Sequence, residues 1–67
     1  MKNRIKDLRL KHGITQQELA DKVFVSSRTI ISLEKQKYNP SVLLAYRISV
    51  VFNLSIEEVF IFEEDDY

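Results

Sequence analysis

Apolar residues recur along this chain at the three- and four-residue intervals of helices, and polar or turn-forming residues interrupt them at short distances. Ile5 and Leu8, with Met1 before them and Leu10 as a further core candidate, predict a first helix from about Asn3 to His12. Gly13 ends it by taking left-handed backbone. Leu19, Ala20 and Val23 mark a second helix, opened by Thr15 with Glu18 three residues on, a capping box that satisfies two otherwise unpaired amides. Ile30 and Leu33 mark a third, capped by Ser26. After a loop from Gln36 to Pro40, Ser41 caps a fourth helix with Leu44, Ala45, Ile48 and Phe52 inward. Ser55 and Glu58 form a second capping box before a short fifth. A strand is allowed only at Phe60 to Glu63. The pattern predicts an all-α fold, one compact five-helix domain over residues 1–67, with an acidic tail at 63–67.

Between Ile14 and Glu34 two short helical patterns are separated by three or four residues, and polar side chains open the second. That is the arrangement of a helix-turn-helix, in which one helix crosses a phosphate backbone and the next enters a DNA major groove. With Ile30 and Leu33 turned inward, the second of these helices leaves Ser27, Arg28, Ile31 and Ser32 outward, a set able to read base edges.

Charge sharpens this picture. The formal net charge is zero, yet residues 1–40 carry nine Lys and Arg against four acids, while residues 41–67 carry Arg47 against six acids. A basic half can dock on phosphates through counterion release while the acidic end points away, although each half is also compatible with an ordinary solvated face. Sixty-seven residues make one small domain, at a size where oligomerisation commonly adds stability. Without cysteine there is neither a disulfide framework nor a thiolate metal site. Nothing resembles a signal peptide or a membrane span, so a soluble cytoplasmic protein is expected. One histidine and scattered carboxylates give no nucleophile–base pair and no metal set, so no enzyme, cofactor or small-molecule ligand is implied. His12 reads as a complement to a helix C-terminus.

The chain resembles the phage-repressor type of helix-turn-helix, the Xre family of regulators. The residues that carry the likeness are Thr15-Gln16-Gln17-Glu18-Leu19-Ala20, Val25-Ser26, Thr29-Ile30, Leu33-Glu34, Tyr38-Asn39-Pro40-Ser41 and Ser55-Ile56-Glu57-Glu58-Val59-Phe60. Their ordered series runs from about Ile5 to Phe60 and is far more specific than any single piece. The resemblance implies a lambda-repressor-like domain that binds double-stranded DNA, and it assigns roles to residues. Ser27 and Arg28 fall where base edges are met. Arg28 would bond both acceptors of a guanine, or else contact a phosphate. Ile31 either touches a thymine methyl or is a tolerated apolar surface residue, beside Ser32. Gln16, in the first turn of the second helix, would clamp the backbone, and Thr29 divides between packing and a phosphate contact. Lys35, Lys37 and Tyr38 would reach flanking phosphates and position the protein without reading sequence. Arg9 and Glu34 match a structural ion pair that ties the first and third helices. Two positions depart from the pattern, Phe24 and Gln36, where turns often carry glycine to allow positive φ. Phe24 either covers a helix surface or stays exposed.

The last part of the chain holds more apolar residues than one small core can bury: Ile56, Phe60, Ile61 and Phe62, with Leu43, Tyr46 and Val50 along one side of the fourth helix. The resemblance makes Asn39, Ile56 and Phe60 a homodimer interface; the alternative is that they close the monomer core. The leading expectation is a homodimeric, sequence-specific regulator, chiefly a repressor, on a palindromic operator. The competing one is a protein-interaction module, an antitoxin or adaptor that uses the same fold.

Overall fold

The computed structural model describes residues 1–66; Tyr67, the last residue of the acidic tail, lies outside them. Five α-helices follow one another: α1 (Ile5–Lys11), α2 (Gln16–Lys22), α3 (Ser27–Glu34), α4 (Val42–Val51) and α5 (Ile56–Val59), then a 3-10 turn at Glu64–Asp66. Each buries the stripe that its apolar spacing defines. Ile5 from α1, Leu19, Ala20 and Val23 from α2 and its cap, Ile30 and Leu33 from α3, and Leu44, Ala45, Ile48 and Phe52 from α4 and its cap meet in one cluster with Val59 and Phe60. Met1, Leu8, Ile14, Val25, Val51, Leu54 and Ile56 pack around it half-buried. Among the described residues no helix is long and apolar enough to cross a membrane.

The helix starts follow their capping residues. Thr15 with Glu18, and Ser55 with Glu58, form complete capping boxes. Ser41 Oγ accepts the Leu44 amide at 3.1 Å. Ser26 departs from this scheme: it holds the N-cap position of α3, but its side chain makes no cap hydrogen bond and lies instead 3.3 Å from the Thr29 hydroxyl.

α1 is shorter than the spacing predicts, beginning at Ile5, because Asn3 leaves the helical path to pair antiparallel with Phe60. The Arg4 amide donates to the Val59 carbonyl at 2.8 Å and the Ile61 amide to the Lys2 carbonyl at 2.9 Å, so the two ends of the described chain are laced together. This isolated bridge stands where the tail was expected to offer a strand. The Lys2 ammonium reaches the Glu63 carboxylate at 3.3 Å on the same seam. Leu10 is a second correction: it faces outward on α1, and its place in the core is taken by Leu8 and Ile5.

α1 to α4 end alike. The residue that closes each has positive φ: Gly13 at 69°, Phe24 at 63°, Gln36 at 60° and Asn53 at 56°. The next amide then turns back to a carbonyl of the last turn, Ile14 to Arg9 and Val25 to Ala20 at 3.1 Å, Lys37 to Ser32 at 3.0 Å and Leu54 to Ser49 at 2.9 Å. Three of these following residues, Ile14, Val25 and Leu54, drop an apolar side chain onto the core and lock the turn. Phe24 and Gln36 therefore adopt the glycine-like conformation their positions demand, at a steric cost that asparagine at position 53 largely escapes.

Candidate nucleic-acid interface

α2 and α3 pack on each other through Leu19, Ala20, Val23, Ile30 and Leu33, and the turn that sets their angle is built on Phe24. Because Ile30 and Leu33 are anchored, the other face of α3 is directed outward. Arg28 is exposed there, and Ser27, Thr29, Ile31 and Ser32 are half-buried along the same helix. Lys35, Lys37, Tyr38 and Asn39 follow α3 on an exposed stretch. The Phe24 ring is 78% exposed, with the Arg47 guanidinium 5.0 Å above its centroid, an attraction between a cation and the negative face of an aromatic ring.

An open groove of about 660 Å³ lies between α1, the start of α2 and the later part of α3, lined by Lys6, Leu10, Gln16, Ile31 and Lys35 over Arg9 and Glu34. Its floor is an ion pair. Arg9 Nε donates to Glu34 Oε2 at 2.8 Å and Arg9 Nη2 to Glu34 Oε1 at 3.3 Å, with the two side chains only 10% and 6% exposed. Arg9 Nη1 also donates to the Ile14 carbonyl at 3.1 Å, which ties the pair to the loop between α1 and α2. The hydrogen bond that Arg9 donates to Glu34 raises the Arg9 pKa above its ordinary value, partly opposed by burial, so the guanidinium is charged at any working pH.

Gln16 is half-buried, and its Nε2 donates to Glu34 Oε1 at 3.1 Å. Sequence reasoning placed Gln16 outward as a backbone clamp and did not find this internal partner. Asn3 was missed altogether: its side chain bonds the Leu33 carbonyl at 2.8 Å and accepts the Ile5 amide at 3.2 Å. Lys6 was also missed, although it lies three residues before Arg9 and so shares that residue's side of α1.

The proposed interface residues separate. Asn39 is exposed and Ile56 is half-buried against the core, but Phe60 is 1% exposed. Phe60 packs into the monomer core, the alternative place that its apolar character left open. Leu10, Phe24, Tyr38 and Phe62 are exposed singly on other elements, whereas four exposed apolar side chains share α4, where Val42, Tyr46 and Val50 recur at i, i+4 and i+8 beside Leu43.

Comparison with known proteins agrees with this architecture. A helix-turn-helix family model matches residues 5–59, from α1 through α5. An HTH-type transcriptional regulator of Archaeoglobus fulgidus, uncharacterized in its own role, is 54% identical over 66 residues, covering 98% of this chain and 94% of its own. A second, from Methanocaldococcus jannaschii, is 48% identical across 98% of this chain and 100% of its own. A third, from Bacillus subtilis, is 41% identical with the same coverages. In three dimensions the chain is similar to the crystal structure of a transcriptional regulator from Listeria innocua, with a TM-score of 0.79 at 20% identity. The match covers 96% of this chain and 64% of that one, so this chain spans less than two thirds of its length. The chain belongs to the helix-turn-helix family, and not to a family of enzymes.

Proposed function

We propose that this protein binds double-stranded DNA in the cytoplasm as a sequence-specific transcriptional regulator, with α3 as the recognition helix. The observation that carries the reading is the orientation of α3: Ile30 and Leu33 fix it to α2 while Arg28 stands exposed at its first turn. In this reading Ser27, Arg28, Ile31 and Ser32 meet base edges in the major groove. Gln16, Thr29, Lys35, Lys37 and Tyr38 hold the flanking phosphates and set the register. The excess of basic residues in the first forty supports the docking side.

The protein acts as a homodimer on a palindromic operator, since one recognition helix reads only a few base pairs while two reach successive major grooves about 34 Å apart. With Phe60 closed in the core, the dimer surface falls on Leu43, Tyr46 and Val50 of α4, with Val42 beside them and Asn39 and Ile56 at the margins. Repression by occupying promoter DNA is the mechanism that requires least of a domain this small.

Selection of bound duplexes from a random pool tests the reading directly. A recovered palindrome with two half-sites is the expected result; no enriched sequence, with affinity erased by moderate salt, would overturn it. Sedimentation of the wild type and of Tyr46→Glu tests the assembly, with a dimer and a folded monomer expected. The α4 stripe also favours a second reading, a protein-interaction module such as an antitoxin or adaptor. A stable complex with another protein, together with weak salt-sensitive DNA binding, would select it.

A further inference from the structure

Glu34 has two tasks in this structure. One oxygen, Oε2, accepts from Arg9 Nε at 2.8 Å, while the other, Oε1, accepts from both Arg9 Nη2 at 3.3 Å and Gln16 Nε2 at 3.1 Å. An ionised carboxylate can only accept, so it is the nitrogen and not the oxygen of the Gln16 amide that must face it. The amide nitrogen has a second hydrogen in the same plane, and this N–H is left for another acceptor.

We propose that Glu34 is a positioning residue for DNA: braced by Arg9, it fixes the Gln16 amide so that the second N–H donates to a phosphate oxygen of a backbone seated at the groove. The inference rests on the DNA-binding reading above and names how one of its contacts is prepared. Lys6 and Lys35 line the same groove and favour an anion there, whereas the Glu34 charge that would oppose one is matched by Arg9 beneath it. A glutamine free in solvent loses rotamer freedom when it binds. Gln16 has already lost that freedom on folding, so the contact is made without this further cost.

The test is a double-mutant cycle on DNA affinity, with wild type, Gln16→Ala, Glu34→Gln and the double variant measured on a selected duplex and a random one, at a temperature where all are folded. Gln16→Ala should weaken both duplexes alike by roughly tenfold, the size of one hydrogen bond to a charged group. Glu34→Gln should weaken binding severalfold when Gln16 is present and add little once it is gone. An equal Glu34→Gln effect in both backgrounds would mean a purely structural role and overturn the proposal, as would a Gln16→Ala variant that binds like wild type. Should Glu34→Gln fail to fold, the side-chain amide protons of Gln16 decide the matter in the wild type by NMR. The proton not bonded to Glu34 should shift on addition of DNA, and two unmoved signals overturn the proposal. Wild-type protein that binds no duplex at all would instead remove the DNA-binding reading itself.

Discussion

The Asn3 side-chain amide donates to the Leu33 carbonyl oxygen at 2.8 Å, joining the approach to α1 with the last turn of α3 across thirty positions of sequence. The same side chain accepts the Ile5 amide at 3.2 Å, so one residue satisfies an orphan donor at the start of α1 and adds a second bond to a carbonyl of α3 that also accepts the Gln36 amide at 2.9 Å. Asn3→Ala should lower stability by about 1–2 kcal/mol in a denaturant titration. Asn3→Asp keeps the acceptor for Ile5 but turns a carboxylate on the Leu33 carbonyl. Wild-type stability in that variant would show that the long-range bond contributes nothing.

Arg9 and Glu34 are nearly removed from solvent, so deleting one leaves the other charged and uncompensated. Glu34→Ala should cost about 3–5 kcal/mol, and the double variant with Arg9→Ala less than the sum of the two singles. Replacing both with apolar residues of similar volume, Arg9→Met with Glu34→Leu, should recover most of the loss. Strictly additive melting-temperature changes in the alanine pair would refute the coupling.

The positive φ of Gln36 predicts that Gln36→Gly stabilises the protein by roughly 0.5–1 kcal/mol, the steric relief exceeding the added freedom of the unfolded chain. Phe24 should respond differently, since its ring also contacts Arg47. Phe24→Gly trades the ring contact for backbone relief and should lie near wild type. Phe24→Ala loses the contact, keeps the strain and should be the less stable of the two. An inverted order in thermal melts would rule out strain at this turn.

The two capping boxes give stability a pH dependence. The Thr15 amide, then its hydroxyl, hold Glu18 below its ordinary pKa of 4.5, with a smaller contribution from Lys22. Ser55 does the same for Glu58, helped by Arg4. Both carboxylates thus have lower pKa values folded than unfolded. Their stabilisation is present above pH 4.5 and disappears as pH falls through the lowered folded values. Melting temperature should decline over that acid range, and Glu18→Gln with Glu58→Gln should make the decline shallower.

If α3 reads DNA, Arg28→Ala should weaken specific binding by roughly 1–3 kcal/mol and relax one base position in each half-site. Lys37→Ala should weaken all sequences alike and reduce the salt slope by about one. A sequence-selective effect of Lys37→Ala would reverse the assigned roles.

The helices and their order were legible because each rests on local chemistry: an apolar stripe, a capping serine or threonine, a turn residue. Gly13 announced its own turn. Phe24 and Gln36 did not by their own chemistry, and only the resemblance marked them as positions of positive φ; what holds their backbone there is the capture of the Val25 and Lys37 amides by carbonyls of the preceding helices. At the candidate site the outward face of α3 followed from Ile30 and Leu33. The Gln16–Glu34 bond did not, because it joins side chains 18 positions apart whose helices meet only in the folded state. Phe60 shows the converse limit. Its surplus apolar character was plain, but whether a partner or the chain's own core covers it depends on how all the helices come together around it.

The pairing of Asn3 with Phe60 also bears on the order in which the molecule assembles. Asn3 and Phe60 stand more than fifty residues apart, so bringing them together confines almost the whole chain for very few contacts. Nearby helices such as α2 and α3 close short loops and can form early, whereas the seam gains nothing until α1 and α5 already lie side by side. The hydrogen bonds of Arg4 and Ile61 are then expected to close last and open first, so their amides should exchange hydrogen faster than those of α2 and α3.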